Sequence, residues 1–279
     1  MLKKVFLVVS LGVLLAMALA SVGCASGNGL TDMLAKVPED TASLKYVDVQ
    51  ALRNDADLDD LYDAWKAAVD TRLEAHGINH GDVNVFASSL NSVRRFTLLV
   101  GKFDLDEVRD ELDDRYYNDD EYKGVEVWQK QAGFAYELDS EVALMGNLVI
   151  MGNEAGVEAC IKVIKEGEDS WLSKADIKDV SSRLPSGLYV DLQKTELAGL
   201  LIKGLEASGI SAKKQDGDTL RIGGVAKFED EDDADHADNA IENLMEQQFK
   251  SVEVTQDGIF LKGSAELDIE DAASLFQGA

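Results

Sequence analysis

The chain contains two prolines, and each stands just ahead of nearly the same string: VPEDTASLKYVDVQ at 37–50 and LPSGLYVDLQ at 184–193. Proline fixes φ and donates no N–H, which suits an extended lead-in before a strand proper. The correspondence continues in order, with LEAHGIN (73–79) against LEASGIS (205–211), VGKFDLDE (100–107) against VAKFEDED (225–232), and GVEVW (124–128) against SVEVT (251–255). Four collinear matches predict an internal duplication. Their period is far longer than the 20–50 residues of solenoid repeats, so the expectation is paired units or one pseudo-symmetric domain.

Periodicity within the copies predicts an α+β fold, each unit a largely antiparallel sheet packed with helices. In the first copy Leu58, Leu61, Trp65, Ala68, Val69 and Leu73 form an apolar stripe, with Asp57 as its cap and Gly77 at its end. Leu197, Leu200, Leu201 and Leu205, between Thr195 and Gly209, predict the matching helix. Each copy then gives a strand, 94–103 or 219–228, followed by a helix opening on acids. Asp104 and Glu107 fit a capping box with Leu105, Val108 and Leu112 behind them, and Ala234, Ala237, Ile241, Leu244 and Met245 line the counterpart. Further strands are expected at 124–130, 133–138, 141–145 and 148–152, with Gly146-Asn147 as a tight turn. Those of the second copy fall at 251–256, 258–262 and 263–267. A helix over 154–166 closes the first unit. The expected division is a signal peptide at 1–23, a linker at 24–33, and units at 34–169 and 170–279, with 170–183 as the link.

The N-terminus gives an address. Lys3 and Lys4 precede an apolar run from Val5 to Ala20, as in a secretory signal. The following Ser21-Val22-Gly23-Cys24 resembles the lipobox of bacterial lipoproteins, departing from it at Ser21, where that family usually has Leu. The resemblance implies that Cys24 becomes an acylated N-terminus holding the chain to the outer face of a membrane. Cleavage after Ala18-Leu19-Ala20 would instead release a soluble protein; a cysteine placed just after the apolar run favours lipidation. Cys160 would then be left without a disulfide partner, and its helical neighbours Val157, Ile161 and Ile164 predict a buried thiol.

The net charge of −26 repels nucleic acid and anionic headgroups, so membrane attachment would come from acyl chains. The acidic run EDEDDADHAD (229–238) fits no calcium loop, and its alanines recur at helical spacing, which makes it the solvated face and first turn of a helix. His76 and His80 stand four apart without the glutamate of a zinc-binding HExxH, and read as polar surface at a helix terminus. Neither a GxSxG elbow nor a P-loop ending occurs; in MGNEAG (151–156) Asn153 is the expected N-cap. These patterns point to no catalytic residue, cofactor or metal.

What one copy has and the other lacks is where asymmetric function would lie. Tyr116, Tyr117, Tyr122 and Trp128, in RYYNDDEYKGVEVW, are the candidate binding residues for a peptide, glycan or lipid, with packing under the sheet as the alternative. The expected function is a noncatalytic binding or interaction module of the cell envelope, with carriage of a hydrophobic ligand as the second reading and an unrecognised hydrolase as the third.

Overall fold

The computed structural model describes residues 27–89, 93–115, 117–130, 139–194, 202–246 and 249–276. The expected signal peptide, Cys24, Tyr116, the strand expected at 133–138 and three of the four leucines expected to form the second copy's helix lie outside them. The fold is α+β, and its contacts divide it into two compact units. The first comprises residues 29–41, 45–171 and the segment from Ala273; the second comprises residues 42–44 and 172–272. The expected linker at 24–33 carries helix α1 (Gly27–Leu34), whose Met33 and Leu34 are buried.

In the first unit β1 (Ser43–Asp48) leads to α2 (Val49–Asn54), with the Asp48 carboxylate accepting from Ala51 N at 2.9 Å. Asp55 rather than Asp57 makes the next cap, closing a 3-10 turn at Ala56–Leu58 that feeds directly into α3 (Asp59–Glu74). Leu61, Trp65, Val69 and Leu73 are buried as the stripe requires, whereas Ala68 falls on the exposed side. Then come β2 (Val83–Ser89), β3 (Phe96–Gly101) and α4 (Leu105–Asp114), capped by Asp104 accepting from the backbone N–H groups of Asp106 and Glu107. Two hairpins follow, β4 (Tyr117–Tyr122) with β5 (Val125–Lys130), and β6 (Glu141–Met145) with β7 (Leu148–Gly152). Lys123 and Gly124 both have positive φ, 52° and 73°, the demand of a two-residue turn that keeps the strand twist. Asn153 caps α5 (Glu154–Glu166), which buries Cys160.

The strand order is β1-β2-β3-β7-β6-β5-β4, antiparallel throughout. Helices cover both faces. Trp65 of α3 meets Phe86 edge-on at 6.0 Å and Arg109 of α4 pairs with Glu126 at 2.8 Å, while Lys162 of α5 lies over Tyr122, whose register places it on the opposite face. Burial on both sides explains why FTLLV and LVIM are continuous apolar runs without alternation.

A 3-10 turn at Trp171–Ser173, whose Trp171 belongs to the first unit, leads into α6 (Ala175–Arg183) of the second, so the expected link is itself a packed helix that buries Ile177 and Val180. Its strands are β8 (Tyr189–Lys194), β9 (Leu205–Lys214), β10 (Thr219–Phe228), β11 (Lys250–Asp257) and β12 (Phe260–Asp268), in the order β8-β9-β10-β12-β11. Leu205, expected in a helix, opens β9; the segments expected at 258–262 and 263–267 form the single strand β12. Helix α7 (Glu231–Glu246) packs on Ala226, Phe228, Leu261 and Ala265. Lys227, one residue away and therefore on the other face, reaches Asp176 of α6 at 3.1 Å and Glu206 at 2.9 Å. The last described helix is α8 (Ile269–Phe276).

Both units share one progression: three sequential strands, a helix, then hairpin strands built back so that the last pairs with the third. Not every sequence match is equivalent within it. YVDVQ begins in β1 and YVDLQ lies in β8, and the two KF matches both carry a strand into a helix, but LEAHGIN ends a helix while LEASGIS is strand. GVEVW supplies the second strand after its helix, whereas SVEVT supplies the first.

Candidate functional site

Helix α7 begins where the acidic run does. The Asp230 carboxylate accepts from Asp233 N at 2.8 Å, and Glu231, Asp232 and Asp233 occupy the first turn, where the helix dipole favours negative charge. Ala234, Ala237, Ile241 and Met245 recur at helical spacing and are buried on the sheet. The flank beside that stripe, Asp233, His236 and Ala240 with the edges of Ala237 and Ile241, is left partly uncovered. With Ile202 and Lys203 it borders an open cleft of about 500 Å³ whose lining is mostly apolar.

One rim is fixed by an ion pair. Lys203 Nζ lies 2.5 Å from Asp233 Oδ1, the lysine exposed and the aspartate buried. Hydrogen bonding to Asp233, and then its charge, raises the Lys203 pKa, so the two groups neutralise each other. The next residue, Gly204, has φ 73°, and a Cβ there would come within 2.2 Å of Asp233 Oδ2. Only glycine permits both the turn and the close approach. Gly204 O accepts from Glu229 N at 2.7 Å, tying the start of β9 to the end of β10. Across the groove, His236 Nδ1 donates to Asp232 O at 2.5 Å. The sequence marked the helix and its alanines; it gave no sign of Ile202 and Lys203, whose place depends on the turn at Gly204.

The aromatic candidates are placed differently. Tyr117 and Trp128 are buried on one face of the first unit's sheet, since Tyr117 pairs with Lys130 and Asp119 with Trp128. Tyr122 is half-buried on the other face, with the amines of Lys123 and Lys162 at 5.7 and 5.8 Å from its ring centre. These three therefore do not line one groove. Trp128 Nε1 donates to Glu126 Oε1 at 2.9 Å, and Glu126 is held by Arg109.

His76, expected as surface, is buried, at 4% exposure. Its Nδ1 donates to Arg72 O at 2.8 Å, and Tyr117 meets its Nε2 at 3.2 Å. Burial outweighs the hydrogen bond and nearby Asp139, and lowers its pKa. His80 turns away to Asp70 at 3.0 Å. A shallower polar cleft of about 360 Å³ lies between the end of α3 and α4, bordered by Glu74, His80, Glu107, Glu111 and Arg115. Among the described residues no group of three or more His, Cys, Asp or Glu is arranged to hold a metal ion, and no helix is long and apolar enough to cross a membrane.

No protein-family model matches the chain. An uncharacterized protein of Methanocaldococcus jannaschii, MJ0635, is 28% identical over 146 residues, which are 50% of this chain and 48% of that one. The chain thus spans about half the length of the curated relative it matches. Among solved structures, crystal form III of TP0453 superposes with a TM-score of 0.56 at 10% identity, covering 88% of this chain and 98% of that one. Crystal form IV gives 0.55 at 9% identity, covering 88% and 96%. At such identities the likeness is one of fold.

Proposed function

We propose that this chain is a noncatalytic binding module of the cell envelope, held to the outer face of a membrane by acyl chains on Cys24, and that the groove along α7 is its binding surface. The groove carries the reading. It offers apolar area to a ligand, while the charged pair at its rim is already satisfied internally, an arrangement suited to recognition. Ser21-Val22-Gly23-Cys24 supports the address. We read the two units as copies of one ancestor, supported by their common strand order. Carriage of a hydrophobic ligand such as a lipid is the second reading, favoured by the same apolar lining.

Two measurements test the proposal. Growth with an alkyne fatty acid should label the wild type and not Cys24→Ala; equal labelling refutes the anchor. Native mass spectrometry of protein taken from its own host should show a bound species that Ala240→Trp, which fills the groove, no longer retains. A species held equally by both proteins places binding elsewhere, and a retained lipid favours the carrier.

A further inference from the structure

We infer that the open edge of β11 receives an extended basic segment of a partner protein, which adds as a further strand to the second unit's sheet beside the acidic flank of α7. This surface lies on the other side of α7 from the groove and is independent of it. β11 ends the strand order and is paired along one side, with β12. The turn between them is Gly258-Ile259, with Gly258 at φ 62°. Residues flanking a two-residue turn bond each other, so Asp257, Thr255 and Glu253 direct their backbone groups to β12. Those of Val254 and Gln256 therefore point outward, the arrangement to which an extended peptide adds by main-chain hydrogen bonds. The irregular part of the ladder lies between Lys250 and Glu253, with Ser251 at φ 52°, and leaves this stretch regular.

Charge selects the segment. Val252 and Val254 pack against the α7 core, and Gln256 Nε2 donates to Glu231 O at 3.2 Å, so the start of α7 lies beside the turn end of β11. The two elements match in length: 16 helical residues cover about 24 Å and 8 strand residues about 26 Å. With Ala234, Ala237, Ile241 and Met245 on the sheet and Asp233, His236 and Ala240 toward the groove, helical spacing puts Glu231, Asp235, Asp238 and Glu242 on the flank nearest the β11 edge. Asp238 Oδ1 is enclosed there without a hydrogen-bond partner among the described residues. These carboxylates stand three or four residues apart, about 4.5–6 Å along the helix. Every second side chain of an added strand falls on their face, about 6.8 Å from the next. Lys or Arg at alternate positions would thus meet the row, whereas a second copy pairing edge to edge would bring two such rows together. The net charge of −26 extends the same field and would steer a basic partner.

The probe is a synthetic eight-residue peptide, acetylated and amidated, in which Lys alternates with Thr and Val, titrated by fluorescence anisotropy against the full mature chain. One comparison peptide has the same composition with its lysines consecutive, and another carries N-methyl groups on alternate backbone amides. The alternating peptide should bind roughly tenfold tighter than either, and should weaken as ionic strength rises from about 0.05 to about 0.5 M. Its binding should slow hydrogen exchange at the Val254 and Gln256 amides roughly tenfold. Asp235→Lys/Glu242→Lys should weaken it several-fold. Gln256→Pro, which removes an N–H that β12 does not use, should abolish it, with thermal melts to confirm folding. The N-methylated peptide tests the same backbone bonds on the unaltered chain. Ala240→Trp, in the groove, should leave binding unchanged. Absence of binding, equal binding of either comparison peptide, or no loss in Asp235→Lys/Glu242→Lys overturns the inference. Loss of the peptide in Ala240→Trp also overturns it, by placing the peptide in the groove. A native species released by Ala240→Trp bears on the groove alone.

Discussion

Tyr117 meets His76 with its hydroxyl 3.2 Å from Nε2, the two rings crossing at 67° with centroids 6.0 Å apart. Because His76 Nδ1 donates to Arg72 O, the neutral imidazole keeps Nε2 as an acceptor, and the single proton of the phenol is shared between it and the carbonyl of Asp139. The same hydroxyl lies 3.2 Å from Asp139 O, and the Asp139 carboxylate binds the Arg72 guanidinium at 2.5 and 2.7 Å. One buried network thus ties the last turn of α3, the edge strand β4 and the residue leading to β6.

Removing the phenol tests this network. Tyr117→Phe keeps the ring and leaves Nε2 buried without its donor, at a cost of roughly 1–3 kcal/mol by urea unfolding. The pH dependence has a definite sign. The His76 pKa is lowered in the folded state, so below about 6.5 the unfolded chain takes up a proton that the folded chain refuses. Stability should be full above that pH and fall as pH drops toward the folded value, and His76→Gln should flatten this part of the profile. An unchanged slope would place the titration on another group.

Glu141 predicts the opposite slope. Its side chain is buried at 1% exposure, and among the described residues neither carboxyl oxygen has a hydrogen-bond partner. Burial, with Glu154, Glu158 and Asp120 nearby, raises its pKa to about 8. The folded state holds a proton that the unfolded state has lost, so stability should decline as pH rises from about 4.5 to about 8, by about 1.4 kcal/mol per unit of displacement at most. Glu141→Gln should remove the decline, and melting temperatures at pH 5, 7 and 9 would show whether it does.

These two groups show where sequence reading ends. Caps and stripes are local, so Asp104, Asn153 and the alanines of α7 were legible from spacing alone. His76 lies past its helix on a turn, and its burial depends on β4, whose sequence YNDDEY has no apolar alternation because it is an edge strand exposed for most of its length. LEASGIS failed as a helix for a related reason. Gly209 sits where a Cβ would fall within 3.2 Å of Leu192, Leu184 and Val180, so small residues there reflect close packing of α6 on the sheet. The groove was half legible: its helical wall follows from periodicity, and its other wall from a glycine turn.

That turn carries the third prediction. Gly204→Ala must adopt a positive φ and displace the Asp233 carboxylate, which should cost at least about 1–2 kcal/mol from the backbone alone. Asp233→Ala removes the two nearest obstructing atoms, Oδ2 and Cγ, together with the Lys203 pair, and leaves its Cβ 2.7 Å from the new methyl group. The double variant should therefore be more stable than the sum of the single losses implies, by 0.5 kcal/mol or more on the order of couplings between touching residues. Strict additivity would mean that the glycine is needed for its dihedral angle alone.

The helix starts give the last prediction, because the two units solve one problem in different registers. In VGKFDLDE the strand stops at Gly101 and Asp104 caps α4; in VAKFEDED the strand runs to Phe228 and the cap is Asp230, one position later than the alignment implies. The shift follows from Lys227, whose amine reaches Asp176 and Glu206 and keeps β10 extended, while Lys102 at the aligned position is exposed. Asp104→Ala and Asp230→Ala should each cost about 0.5–2 kcal/mol, whereas Glu229→Ala, at the position aligned with Asp104, should cost less than about 0.5 kcal/mol. A large loss at Glu229 and none at Asp230 would show that the second helix starts in the register of the first.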